Sequence, residues 1–261
     1  MGQYFTSNSI NTATGTASYN ALAITAEKRA IHGLTFLAGF RWAKMLDELN
    51  GGGTSLGQGD YTTPNPKFDH GLGSYDVDRQ LIGSYVWELP TFKSLGFLGR
   101  NVIGGWQSSG ILTLRSGFPY SILSGLDYSY SGIGADRADL VGNPNLAGGR
   151  TKAAQLAEWF NTAAFAFNAP GTFGDSGRDI LRGPGLATFD FSLSKSFPLK
   201  FGRFAETQKL DFRAEAFNLF NHANFSNPDN TITDPTFGEI LQTAKAGGDP
   251  RILQLALRFS F

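Results

Sequence analysis

Long stretches of the chain alternate between apolar and polar residues, and the clearest is the final segment, RILQLALRFSF. Its apolar positions recur at every second residue: Leu253, Leu255, Leu257, Phe259 and Phe261. Successive side chains of a β-strand point to opposite faces, so this period predicts a strand with one apolar face.

Six earlier segments show the same period, and their length is informative. The predicted strands cover 18–29, 34–44, 79–89, 102–115, 186–197 and 209–220. Each spans roughly ten to twelve residues, whereas strands of soluble proteins average about five or six. A tilted strand that crosses a membrane needs about nine to eleven residues. Strand length therefore favours membrane-spanning strands.

The connections between these strands alternate in length along the chain. Short connections are predicted at 30–33, 90–101 and 198–208, and long ones at 45–76, 116–186 and 221–250. Outer-membrane barrels have short periplasmic turns and long extracellular loops. We therefore predict an all-β fold, an antiparallel transmembrane β-barrel segment of about seven to eight long strands. The longest loop contains one helix-like stretch that starts near Thr151.

Composition and charge argue against several functional classes of protein. The chain has 22 Lys and Arg against 22 Asp and Glu, so it has no basic field for nucleic acid. It has no cysteine and therefore no disulfide or thiolate site. No apolar run reaches the length of a membrane helix. The N-terminal residues lack the pattern of a signal peptide, which is expected to lie upstream or to have been lost.

Three groups of residues invite a chemical role, and each has a simpler interpretation. The GDSGRD stretch at Gly174–Asp179 is similar to the nucleophile loop of trypsin-like proteases, but the three histidines lie in separate predicted loops, so we interpret it as a turn. The Gly51–Gly59 stretch lacks the Lys-Ser/Thr end of a phosphate loop and is interpreted as a flexible loop. Loop acids without an EF-hand pattern are expected to be solvated: Asp136, Asp139, Asp229, Asp234 and Glu239. We predict no catalytic residue, metal site or cofactor, and no enzymatic activity.

Polar positions on the predicted strands are expected to line a lumen, because a charge that faces lipid costs several kcal/mol. These candidates are Gln107, Thr113, Arg115, Asp190, Asp211, Arg213, Glu215 and Arg258. They could form a substrate path or a docking wall, or simply a hydrated and mutually paired interior. We expect an Asp190–Arg213 or Glu215–Arg258 contact. Aromatic residues of the long loops are candidates for ligand contact: Tyr120, Tyr128, Tyr130, Trp159 and Phe225.

Several segments together resemble the C-terminal part of a TonB-dependent outer-membrane receptor barrel, most closely that of the Oar-like group. They include DVDRQLIGSYVWELP, GGWQSSGILTLRSGFPYSI, LDFRAEAFNLFNHANF and DPRILQLALRFSF. The resemblance implies a 22-stranded barrel that is filled by an N-terminal plug, with residues 1–261 as its C-terminal portion. It also implies the bacterial outer membrane as the location, and membrane lipid, the insertion machinery and a bulky ligand as partners. TonB would be contacted only through a plug that is not in this chain, so the chain is expected to be a fragment that does not transport alone.

Two alternatives belong to other classes. The chain could be a small self-contained barrel, structural or pore-forming, with YFTSNSINTATG or part of a long loop as an eighth strand. It could instead be a secreted β-sandwich that binds polysaccharide through aromatic residues.

The terminal strand is predicted to be the assembly signal, since it resembles the segment that the outer-membrane insertion machinery recognises. Deletion of Phe261 from the complete receptor should reduce insertion and leave protein in the periplasm, as measured by membrane fractionation. Normal insertion of the deletion variant would contradict this role.

Overall fold

The computed structural model describes residues 15–48, 66–91, 96, 102–132, 136–199 and 208–260. Twelve strands lie in these residues: β1 (Ala17–Ile31), β2 (Leu34–Asp47), β3 (Gly71–Leu72), β4 (Arg79–Glu88), β5 (Gln107–Arg115), β6 (Pro119–Tyr120), β7 (Asp139–Leu140), β8 (Phe165–Ala166), β9 (Leu181–Arg182), β10 (Leu186–Leu199), β11 (Gln208–Phe217) and β12 (Ile252–Ser260). One α-helix, α1, spans Lys152–Ala157, and 3-10 helices span Pro66–Asp69 and Thr162–Ala164.

The seven long strands form one antiparallel sheet in the order β1-β2-β4-β5-β10-β11-β12. Each strand pairs with the next long strand along the chain, and β3 pairs with the end of β2. No backbone pairing joins β1 to β12 in the part of the chain that the structure describes. The sheet is therefore open, which confirms the predicted partial barrel.

The pairing register confirms the predicted division of side chains between the two faces. Phe212 lies opposite Leu257 and Ala214 lies opposite Leu255, so the apolar positions of β11 and β12 share a face. Across β10, Phe191 lies opposite Ala216. Directly paired residues of antiparallel strands project to the same side. The sheet therefore has one continuous apolar face and one polar face.

Much of the apolar face is exposed, and this distinguishes the sheet from that of a soluble protein. Leu255 is 74% exposed, Leu257 70% and Trp42 59%. Soluble monomers rarely expose contiguous apolar surface of this kind. Among the described residues, the other two sheets have only two strands each, and both lie in the long loops. No second sheet covers the apolar face there, so the β-sandwich alternative is wrong.

The connections alternate as predicted, although several strand ends differ from the predicted ones; β2, for example, continues to Asp47. β1 and β2 are joined by a two-residue turn in which His32 and Gly33 both have positive φ, as a tight hairpin turn requires. The fourth predicted strand starts later than expected, at Gln107, because Gly105 (φ 70°) bends the chain. The sixth ends earlier, at Phe217, because Asn218 (φ 48°) turns the backbone out of the strand.

The long connections converge at one end of the sheet into a packed structure that we call the cap, formed by residues 66–78, 116–132, 136–185 and 218–251. Its hydrophobic core contains Tyr120, Ile122, Ala138, Phe160, Ala164, Phe165 and Leu181. The predicted helix-like stretch is confirmed as α1, which begins after Thr151, whose hydroxyl accepts a hydrogen bond from the amide of Ala154. The main buried core of the described residues thus lies in the loops.

Parallel backbone contacts hold the two longest loops together. Leu123 donates to the carbonyl of Asn230 at 2.9 Å and accepts from Ile232 at 2.9 Å. Trp159 donates to Gly238 at 2.8 Å. The two loops are therefore joined by hydrogen bonds into one unit.

None of the helices in the described segments has the length and apolar character needed to cross a membrane. Three sequence-based predictions lie outside the described residues: the flexible loop at Gly51–Gly59, the eighth strand proposed for residues 4–15 apart from its last residue, and the role of Phe261.

Charge substitutions at two neighbouring positions of β12 are expected to change the free energy of unfolding by very different amounts, because the two side chains lie on different faces. Leu255→Arg places a charge on the apolar face and is expected to destabilise the folded protein by about 2–4 kcal/mol if the site is near the bilayer midplane. Gln254→Arg, one residue away on the polar face, is the matched control and is expected to have a small effect. Urea unfolding in lipid vesicles measures both. Equal losses of unfolding free energy would contradict the assignment of the faces.

Candidate functional site

The eight predicted lumen residues all lie on the polar face of the sheet. The register pairs Gln107 with Ser194, Thr113 with Thr188 and Asp211 with Arg258, and the remaining candidates alternate in step with these. The polar face therefore carries most of the charged and hydroxyl groups of these strands, with a few apolar residues such as Ile82 and Ile111 among them. That this surface lines a lumen stays a prediction.

The two predicted charge contacts between strands are wrong, because the register differs from the one assumed. Arg213 lies opposite Ser194 and Ala256, and its guanidinium contacts Glu215 on its own strand at 3.4 Å. Asp190 instead accepts a hydrogen bond from the backbone amide of Asn218 at 2.8 Å.

The acids and bases of this wall take other partners. Asp211 lies opposite Arg258 in the strand register, and its carboxylate accepts a hydrogen bond from the hydroxyl of Ser196. The guanidinium of Arg115 lies over the ring of Phe118, 4.2 Å from its centroid. These contacts fit the simpler interpretation of a mutually paired polar wall at these positions.

The opposite, apolar face carries one buried lysine in addition to the exposed Lys28 and Lys44. Lys195 lies opposite Phe212 and so belongs to the apolar face, yet it is only 6% exposed. Its ammonium group donates to the carbonyls of Val102 and Gly104 and lies 5.4 Å from the ring centroid of Trp106. Backbone carbonyls and an aromatic ring together replace water around the charge. The residue is thus accommodated on an apolar surface.

A buried charge network connects the cap to the end of β2, and Arg178 is at its centre. Its guanidinium pairs with the carboxylate of Asp47 and donates to the carbonyls of Asp69 and Leu72, each at 2.9 Å. The Arg178 side chain is 2% exposed. A buried arginine needs this many acceptors, because an uncompensated buried charge is strongly destabilising.

Two further arginines extend the network. Arg137 donates to the carboxylate of Asp69 at 2.8 Å and lies over the ring of Phe68. Arg182 pairs with Asp76. The carboxylate of Asp76 also accepts a hydrogen bond from the backbone amide of Met45 at 2.6 Å. Three arginines of the longest loop therefore hold the preceding loop and the end of β2 in place.

The GDSGRD stretch provides the central residues of this network. It forms turns, as predicted, and shows no triad, but Arg178 and Asp179 are both buried. Gly174 has a φ of 76°, and a side chain there would meet the carbonyl oxygen of Arg137. The adjacent Arg178 and Asp179, in a loop otherwise rich in glycine and serine, were the sequence feature that could have indicated a buried charge network.

The acids of the cap are less solvated than the sequence suggested. Burial raises the pKa of Asp179, although hydrogen bonds from Ser74 and Ser121 act in the opposite direction. Asp136 is 2% exposed and accepts hydrogen bonds from Ser129 and Asn168, so the expectation that it is solvated is wrong. In the described ranges, no group of three or more potential ligands is placed to hold a metal ion.

The aromatic ligand candidates separate into surface and core residues. Tyr130 is 75% exposed, and Tyr128 and Phe225 are half-buried. Tyr120 is buried in the cap core, and Trp159 packs against that core and donates to the carbonyl of Arg182 at 2.8 Å. Tyr120 and Trp159 therefore belong to the packed interior of the cap, and ligand contact at the five candidates stays a prediction.

The chain was compared with protein families, curated proteins and solved structures, and one family matches. A family model described as an outer membrane beta barrel domain matches residues 2–254, which is nearly the whole chain. No curated protein and no solved structure matches the chain. The match agrees with the long antiparallel strands and the exposed apolar face.

The buried carboxyl of Asp179 predicts a pH-dependent cap. Its folded-state pKa is raised, so its contribution to stability is complete below the unfolded pKa and is lost as pH rises through the folded pKa. Hydrogen exchange of cap amides, corrected for intrinsic rates, should show protection falling as pH rises above the ordinary range of an aspartate pKa. Asp179→Asn should flatten this slope, and Asp234→Asn at an exposed cap position should preserve it. Identical slopes in the wild type and both variants would contradict the prediction.

Proposed function

Because the chain belongs to the outer membrane beta barrel domain family, we propose that it forms part of the wall of a TonB-dependent receptor that takes up a bulky ligand. The protein is located in the bacterial outer membrane. In the proposed receptor, the sheet spans the bilayer and the cap lies on the extracellular side.

The observation that carries the proposal is the cap itself. A passive connection between barrel strands needs only a short turn, whereas these loops have a buried core and a buried charge network. Binding sites are commonly built on loops that a rigid scaffold positions. A cap with fixed side chains supports recognition of a specific ligand better than it supports an open, unselective pore.

The polar face supports the second part of the proposal, which is passage along the inside of a barrel. Charged and hydroxyl side chains continue along β5, β10, β11 and β12 on this face. In the complete receptor, this wall would face the plug and the path of the ligand. The proposal assigns no catalytic role to the chain and no transport to it alone.

The proposed function is tested through association with TonB in living cells. An epitope inserted in the Gly51–Gly59 stretch of the full-length protein allows its capture after formaldehyde cross-linking. Recovery of cross-linked TonB is expected, together with no steady ion conductance in planar bilayers, because a plugged barrel is closed. Conductance without TonB recovery would instead support the self-contained pore.

A tagged porin from the same cells, processed in parallel, controls for non-specific cross-linking. TonB recovered equally with the porin would remove the support for the proposal.

A further inference from the structure

A groove of about 760 Å³ opens on the apolar face of the sheet, at the end of β1 and β2 that adjoins the cap. Its apolar lining comes from β1, β2 and β3: Leu22, Trp42, Leu46 and Leu72. Leu22 is 53% exposed and Trp42 is 59% exposed. The groove is therefore continuous with the surface that contacts membrane lipid, and its apolar lining suits an acyl chain.

The paired residues of β1 and β2 on this face change from apolar to polar toward the cap. In order, the pairs are Ile24–Phe40, Leu22–Trp42 and Asn20–Lys44. Tryptophan is enriched where the hydrocarbon meets the headgroups, and lysine extends its ammonium group into the headgroup layer. Trp42 and Lys44 are about 7 Å apart along the strand. This order matches the passage from hydrocarbon to headgroups in the leaflet on the cap side.

Two of the charged side chains that border the groove are already compensated. The carboxylate of Asp78 accepts hydrogen bonds from the indole of Trp42 at 3.1 Å and from Arg79 at 3.0 Å. The guanidinium of Arg182 pairs with Asp76. Neither unit leaves a full net charge on the groove.

Lys44 supplies the remaining charge of the described lining. Its side chain is exposed, and no described residue forms an ion pair with it. Asn20, directly opposite on β1, carries a side-chain amide that can donate hydrogen bonds. An ammonium group beside an amide donor favours an anionic oxygen, and lysine is a common phosphate binder. The apolar lining favours an anion that is attached to a hydrocarbon chain.

We propose that this groove binds an anionic, phosphate-bearing lipid of the leaflet on the cap side. The phosphate contacts Lys44 and Asn20, and one acyl chain follows Leu22 and Ile24 toward the bilayer centre. The inference rests on the location in the outer membrane and not on ligand uptake. Failure of the TonB cross-linking experiment would therefore leave it unchanged.

The test identifies the lipid that stays bound to the full-length protein. The protein is placed in nanodiscs that contain phosphatidylcholine and phosphatidylglycerol in equal amounts, and native mass spectrometry after mild release measures the occupancy by each lipid. Phosphatidylglycerol is expected to exceed phosphatidylcholine by about fivefold, the effect of one lysine near an anionic headgroup. Equal occupancy by the two lipids would overturn the inference.

Variants of Lys44 test the role of its charge. Lys44→Gln is expected to remove the preference for phosphatidylglycerol, and Lys44→Arg is expected to keep it because the positive charge remains. The melting temperature should be the same in both variants and in the wild type, since the side chain is exposed. An unchanged preference in Lys44→Gln would contradict the proposed contact.

Lys28→Gln is the matched control. Lys28 is also exposed on the apolar face, but it lies toward the opposite end of β1, across from Phe36, and does not line the groove. This variant is expected to keep the wild-type preference. Equal losses in Lys28→Gln and Lys44→Gln would mean that any lysine near the membrane suffices, and would overturn the site.

Two further measurements distinguish a lipid in the groove from a free phosphate. Phosphatidylglycerol with a diazirine on its acyl chain is expected to cross-link to peptides that contain Leu22 or Ile24, and labelling confined to the cap would overturn the location. Glycerol 3-phosphate carries the phosphate without acyl chains and is expected not to displace the bound lipid at millimolar concentration. Displacement would assign the site to a free phosphate and reject the lipid.

Discussion

Backbone N–H and C=O groups have no water to bond with inside a bilayer, and this constraint governs the architecture of the protein. Closed ladders of hydrogen bonds between strands satisfy it, and the seven long strands satisfy it pair by pair. The same solvent requires apolar side chains on the lipid side, which accounts for an exposed face that would be a liability in water. Among the described residues, no strand pairs with the outer edges of β1 and β12.

The constraint also explains why the protein has its conventional core outside the sheet. The apolar face of the sheet contacts lipid and therefore packs against no other part of the protein. For this reason the loops must be stabilised separately. The cap does so through Phe160 and its neighbours and through the arginines of the charge network. Buried ion pairs contribute little net stability compared with apolar packing, but the loss of one partner is costly. The network therefore favours one arrangement of the loops over others.

The sequence allowed the strands and their faces to be predicted, because period two is a local property. Phe212 and Leu257 share a face simply because each belongs to an alternating run. The register between strands is not local, and for this reason the partners predicted for Asp190 and Glu215 were wrong.

The cap was predicted least well. Arg178 contacts Asp47, which lies 131 positions away in sequence, and no pattern near GDSGRD indicates a partner at such a distance. The ligand candidates were chosen by residue type and loop position, which do not distinguish the exposed Tyr130 from the buried Tyr120.

Lys195 has a consequence for how the protein sits in its membrane. Its ammonium group is fixed by two carbonyls of the segment before β5 and covered by Trp106, near the end of the sheet opposite the cap. A lysine and a tryptophan together are suited to the level of the lipid headgroups, where a charge and an amphipathic ring are both tolerated. In a bilayer, this pair would favour the level at which the hydrocarbon meets the headgroups on that side. The cap, attached to the other strand ends, would then lie beyond the opposite surface.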